Sequence, residues 1–159
     1  MKNAIKPQGC TNLKLRQLSR IVTRHYDHYV ATVGLKITQY SLLSHVVKLG
    51  PIRPVDLAKR MQMDASTLTR NLQPLSALGL LTIGEGSDAR SRLVSATEAG
   101  VTKQAEAQKA WKAAQVALNE QLGVARVSAL HELLDSCIEI LEGDDSDTNA
   151  AGALKVHIE

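Results

Sequence analysis

No phenylalanine occurs in the 159 residues of this chain, and aromatics make up only 3% of it: Trp111, Tyr26, Tyr29 and Tyr40. Any core must therefore be assembled from Leu, Val, Ile and Ala, a composition that favours packed helices over a β-sandwich. Cysteine is almost as scarce. Cys10 and Cys137 stand far apart without a C-x-x-C spacing, which argues against a zinc ribbon or a disulfide-stapled secreted scaffold and makes a reducing cytosol the default. No run approaches the ~18 apolar residues of a membrane span, and the opening MKNAIKPQGC lacks the apolar segment of a secretory signal. A soluble, cytoplasmic protein with no membrane contact is the expectation. With 44% hydrophobic and 22% charged residues, wholesale disorder is excluded. The length suits one domain with an appended pairing element.

What is present is charge, unevenly placed. From Met1 to Lys103 there are 15 Lys and Arg against 6 Asp and Glu; from Gln104 to Glu159 there are 4 against 10, so the net +3 conceals a basic first part and an acidic remainder. The basic part is suited to a polyanion, although charge alone does not choose between DNA, RNA and an acidic membrane.

Apolar residues recur at helical spacing along most of the chain. Leu15, Leu18, Val22, Tyr26 and Val33 define a first helix from Thr11 to about Val33, closed by Gly34. Thr38 suits the cap of a second helix that stops at Gly50-Pro51, and Pro54 the first residue of a short third one. Asp64 is placed to cap a fourth, with Leu68, Leu72, Leu75 and Leu78 as its buried stripe, a bend at Pro74 and Gly79 at its end. Leu80 to Ile83 and Leu93 to Ser95 read as strands of a hairpin around the basic tip GEGSDARSR. Thr97 caps a fifth helix to about Leu122, Gly123 interrupts, and a sixth runs from Val124 to Leu141 with Cys137 in its apolar stripe. The fold class is mainly α with a small β-hairpin wing. Residues 10–142 form the domain, with a winged lobe over about 38–96 and pairing helices over about 10–33 and 97–142; residues 143–159 are a flexible acidic tail.

The chemistry concentrates between Pro54 and Ser95, where a short helix, a tight turn, a second helix and a basic hairpin follow one another in the order of a winged helix-turn-helix. On a helical wheel the leucines of the fourth helix leave Ser66, Arg70 and Gln73 outward, with Thr69 beside them and Thr67 near the start. Short hydroxyl side chains let a helix backbone approach the floor of a major groove, and Arg70 is long enough to meet guanine O6 and N7. Alternatively, Ser66, Thr67 and Thr69 only cap and solvate a surface helix. In the hairpin, Arg90 and Arg92 alternate along one strand edge with Asp88 near enough to orient a guanidinium, an arrangement suited to a narrow minor groove.

Over residues 13 to 100 the chain resembles the MarR family of bacterial transcription regulators. The marks are DLAKRM, STLTR and GLL in series, then the wing DARSR followed by TEAG, with Asp88 and Arg90 matching the family's Asp-x-Arg signature. The resemblance implies a homodimer intertwined through its first, fifth and sixth helices, holding two winged lobes on successive major grooves of a pseudo-palindrome in double-stranded DNA. Arg90 would enter the minor groove and Ser66 to Arg70 would read bases. The amphipathic outer helices call for a partner on their own account, and a second copy supplies one.

The resemblance also implies control, a repressor being released by a small phenolic or aromatic-acid ligand. Arg16 and Arg20 with Tyr26 and Trp111 offer a carboxylate clamp and aromatic walls. Cys10, at the start of the first helix near Lys14, is the candidate for redox sensing instead. His25 and His28 are spaced three apart, yet such a pair is more often surface than metal site, and neither a metal nor a cofactor is implied. No phosphate loop, nucleophile elbow or HExxH motif occurs, so an enzyme is not expected. A helical interaction module that does not bind DNA is the remaining alternative.

Overall fold

The structure, a computed structural model, describes residues 6–86 and 92–143. The chain divides into two compact units after Val116. No helix among the described residues is long and apolar enough to cross a membrane.

Helix α1 (Thr11–Val30) continues as a 3-10 turn, Ala31–Val33, and Gly34 closes it in the left-handed conformation at φ +78°, the backbone region where a side chain is disfavoured. Helix α2 (Ile37–Leu49) begins one residue before the expected cap at Thr38. Its free N–H groups are met from elsewhere: Asp27 Oδ1 on α1 accepts from Ile37 N at 2.7 Å, and Gln39 Oε1 accepts from Lys36 N at 2.9 Å. A hydroxyl at Thr38 is thus not needed as the cap.

Helix α3 (Pro54–Arg60) starts on its proline. The turn to the next helix passes through Gln62 in the left-handed region, φ +52°, and is closed by Met63 N donating to Ala58 O at 2.9 Å. Helix α4 (Ala65–Ala77) is capped by Asp64, runs through Pro74, and buries Leu68, Leu72 and Leu75 completely. Leu78, expected in that stripe, is 59% exposed. The helix ends at Ala77 and Gly79 (φ +71°) turns the chain, so Leu78 stands on the cap and Leu80 takes the inward place.

Strands β1 (Leu81–Glu85) and β2 (Arg92–Ala96) pair antiparallel, in a register running from Leu81 opposite Ala96 to Glu85 opposite Arg92. Ile52, read as loop in the sequence, forms a further bridge to Val94, exchanging N–H···O bonds of 3.1 and 2.8 Å. The core of this unit joins Val30 and Leu35 to Leu42, Leu43 and Val46 of α2, Leu57 of α3, the α4 leucines, Leu81 and Val94.

Helix α5 (Glu98–Leu122) starts where Thr97 Oγ1 accepts from Gly100 N at 3.0 Å while donating to Gly79 O at 2.7 Å. Thr97 N donates to Leu80 O at 3.1 Å. The backbones approach so closely that a Cβ on Gly100 would stand 2.0 Å from Leu80 O. Only glycine fits there.

In the second unit, Gly123 (φ +84°) breaks the helix and α6 (Val124–Gly143) follows. Val127 is buried, whereas Leu133, Ile140 and Leu141 are 66%, 67% and 76% exposed. Cys137, expected in a buried stripe, is exposed as well. Leu130 and Leu134 are half-buried, so the cover on α6 is partial and its cysteine shares the solvent with Leu133 and Leu141.

Candidate nucleic-acid interface

Helix α4 presents Ser66, Thr69, Arg70 and Gln73 to solvent, while Thr67 is half-buried. This division follows from the leucine spacing: with Leu68, Leu72 and Leu75 locked inward, residues about 100° to 180° away on the wheel must face out.

The start of this face is tightly hydrogen-bonded. Asp64 Oδ1 accepts from Thr67 N at 2.8 Å and from Ser66 Oγ at 2.5 Å, and its Oδ2 accepts from Thr67 Oγ1 at 2.6 Å. These donors, the Ser66 hydroxyl foremost, hold the Asp64 carboxyl well below the usual carboxylate range even though it is exposed. One turn on, Thr69 Oγ1 donates to Ala65 O at 2.8 Å and Arg70 Nε donates to Ser66 O at 3.3 Å. The Arg70 guanidinium is thereby steadied along the helix with its terminal amino groups directed to other partners.

Arg92 opens β2, exposed and opposite Glu85 in the register. Arg90 and Asp88, the other charges singled out in the wing, lie outside the described residues. Near the same lobe, Arg53 forms a two-pronged pair with Asp56, at 2.6 and 3.1 Å, which keeps the Asp56 carboxyl below its ordinary value. Both groups are exposed, so the pair adds little to stability.

A cleft of about 190 Å³ lies between the start of α2 and α4, lined by Lys36, Thr38, Gln39, Leu42, Asn71 and Pro74. It adjoins the outward face, because Asn71 and Pro74 each follow one of its residues, Arg70 and Gln73, in the chain. No local pattern announces this cleft, since its two walls come from separate helices far apart in sequence.

The residues considered for an effector are distributed differently. Tyr26 is buried, its hydroxyl donating to Gln115 Oε1 in a short bond, and burial pushes its phenol pKa up. Trp111 packs against the core and stacks on Tyr40, with ring centroids 6.3 Å apart. Arg16 and Arg20 are exposed on the first turns of α1, and Arg20 precedes Tyr26 by about 9 Å along the helix axis. The hydroxyl of Tyr40 is a buried polar atom. Burial raises its pKa, and Ser44 and Gln104 beside it work in the opposite sense.

Cys10 is exposed at the N-cap of α1. His25 Nε2 donates to Ala114 O at 2.8 Å, and His28 stacks edge-on against Tyr29. Among the described residues, no group of His, Cys, Asp and Glu is arranged to hold a metal ion.

Comparison with known proteins follows the same outline. The MarR family model matches residues 33–91. An HTH-type transcriptional regulator of Bacillus subtilis (strain 168), YwoH, is 25% identical over 93 residues, covering 58% of this chain and 68% of that protein. The M. tuberculosis transcriptional regulator MosR, solved in complex with DNA, is similar at a TM-score of 0.67 and 28% identity, over 81% of this chain and 98% of its own. CouR, a transcriptional repressor solved bound to a 23-mer DNA duplex, reaches a TM-score of 0.74 at 24% identity, over 81% of this chain and 92% of its own. The same repressor has been solved bound to p-coumaroyl-CoA.

Proposed function

The winged lobe of this chain belongs to the MarR family, and on that premise we propose that this transcriptional regulator is a homodimeric repressor of a pseudo-palindromic operator, released by a small aromatic or phenolic acid. The observation that carries the DNA reading is α4: its leucines are buried and Ser66, Thr69, Arg70 and Gln73 stand outward, with the wing strands following directly. In this reading α4 enters the major groove. Arg70 contacts guanine, Arg90 enters the minor groove, and Thr67 and Arg92 assist at the flanks.

Homodimerisation is supported by apolar surface that a single chain leaves uncovered. Leu13, Leu15 and Ile21 of α1 are 52%, 47% and 56% exposed, and α6 repeats the pattern with Leu133, Ile140 and Leu141. Two copies related by a two-fold axis would set their reading helices about one turn of DNA apart, roughly 34–36 Å. For the effector, support comes from CouR, which binds both DNA and an aromatic acyl thioester. In this chain the residues that would serve an effector are Arg16 and Arg20, exposed on α1, with Tyr26 and with Trp111, which stacks on Tyr40.

The test is a gel-shift titration over a range of salt concentrations. Affinity for duplex DNA is expected to fall steeply with salt, as counterion release requires. Arg70→Ala should relax the preference at one base pair by about tenfold, whereas Arg90→Ala should weaken all sequences evenly. Equal affinity of the wild type and both variants for every duplex would reject the reading.

A further inference from the structure

Each hydroxyl at the start of α4 already donates a hydrogen bond to its own chain. Ser66 Oγ and Thr67 Oγ1 lie 2.5 and 2.6 Å from the two oxygens of the Asp64 carboxylate, and Thr69 Oγ1 lies 2.8 Å from the Ala65 carbonyl. An ionised carboxylate and a carbonyl have only lone pairs to offer, so in all three bonds the hydroxyl must be the donor. Taking any of these protons back would break a bond within the helix, and for Ser66 and Thr67 that bond is charge-assisted, the stronger kind. What remains toward solvent on Ser66 and Thr69 is a pair of lone pairs. Beside them, the exposed Arg70 has only hydrogens to offer, and with Nε bonded to Ser66 O its terminal amino groups remain as further donors.

The geometry points to a base code for this face: Ser66 and Thr69 act as acceptors and select bases with an exocyclic amino group in the major groove, adenine N6 or cytosine N4, next to a guanine selected by Arg70. A free serine or threonine hydroxyl reads either kind of edge, because it can donate or accept. Here the Asp64 cap and the Ala65 carbonyl remove that ambiguity, so thymine O4 and guanine O6 are refused at the hydroxyl positions. Asp64, never itself a contact, acts as the positioning residue that sets the polarity of its neighbours. This inference rests on the duplex-DNA reading of α4 given above and narrows it to a class of sequences.

The test uses the full-length protein and a duplex recovered from a randomised library by repeated selection. Within the recovered half-site, each adenine is replaced in turn by purine, which lacks the N6 amino group, and each cytosine by 2-pyrimidinone, which lacks the N4 amino group. Removing the amino group opposite Ser66 or Thr69 should weaken wild-type binding about three- to tenfold, the value of one neutral hydrogen bond. Replacing the same adenine by 7-deaza-adenine, which keeps the amino group and loses only N7, should change nothing. At the guanine opposite Arg70, 7-deaza-guanine should weaken binding. Thr69→Val, which keeps the shape and loses the oxygen, should abolish the sensitivity to one amino group, and Ser66→Ala the sensitivity to another; this coupling separates a direct contact from weakened base pairing. Wild-type binding that ignores every amino deletion, or that loses the same factor in both variants, overturns the code while leaving salt-dependent duplex binding in place. A protein that retains no duplex at all overturns the DNA reading itself, and this inference with it.

Discussion

The outward face of α4 and the outward face of α6 are opposites. On α4 every hydroxyl named above has a partner inside the helix, and the leucines beneath it are fully buried. On α6 Leu133, Ile140 and Leu141 face solvent, Leu141 at 76% exposure. The first surface is complete within one chain and is arranged to meet something polar; the second is incomplete and calls for something apolar. The difference teaches that the polar and the apolar surfaces of this molecule are separate, because each has its own physical source.

The sharpest way to break that contrast is to charge the pairing face. Leu133→Asp combined with Ile140→Asp should convert the proposed dimer to a monomer in analytical ultracentrifugation. Operator affinity should then fall by about 100-fold or more, since two linked half-sites become one. The circular dichroism of the winged lobe should be unchanged; a variant that still sediments as a dimer would show that α6 is not the pairing surface. Next in size is Gly100→Ala, which forces a methyl group into the Leu80 carbonyl. Overpacking against rigid backbone should cost about 2–3 kcal/mol in chemical denaturation, and it should affect the lobe without touching α6.

Smaller effects probe how the lobe's hydrogen bonds are held. Asp27→Ala leaves Ile37 N without its acceptor and should destabilise the lobe by about 1 kcal/mol, whereas Asp27→Asn, which retains a carbonyl oxygen in the same place, should restore most of it. Equal losses for the two variants would assign the effect to charge instead of the bond. Smallest is Asp64→Ala, a drop of a few degrees in melting temperature at neutral pH. Because the folded protein holds this carboxyl below its ordinary value of 3.8, protonation favours the unfolded chain. The advantage of the wild type over Asp64→Ala should therefore be fully present above about pH 4 and shrink as the pH falls further. A gap that is independent of pH would contradict the bonding drawn at the cap.

Sequence spacing disclosed the parts of this fold that depend on neighbours. The stripe Leu68, Leu72, Leu75, the caps at Asp64 and Thr97, the terminator Gly34 and the opening Pro54 all follow from residues within one or two turns. What escaped it are contacts closed through space. Asp27 reaches ten residues along the chain to start α2, and Ile52 reaches forty-two to pair with Val94. Leu78 continued the periodicity by one step too many, because a helix stops where its cap geometry dictates and not where its pattern runs out. On the reading face, residue types foretold which side chains point outward. They did not foretell which hydroxyls had already chosen a donor's role, a property visible only once Asp64 and Ala65 stand beside them.

Thr97 carries a mechanical consequence. Its hydroxyl takes the N–H of Gly100 and gives its own hydrogen to Gly79, and its amide holds Leu80, so one residue rivets the root of α5 to the turn that follows α4. At the Gly100 crossing the two backbones lie too close for even a Cβ between them. A tilt of the first turn of α5 would then carry the end of α4 with it, which would make this joint a lever's fulcrum instead of a hinge.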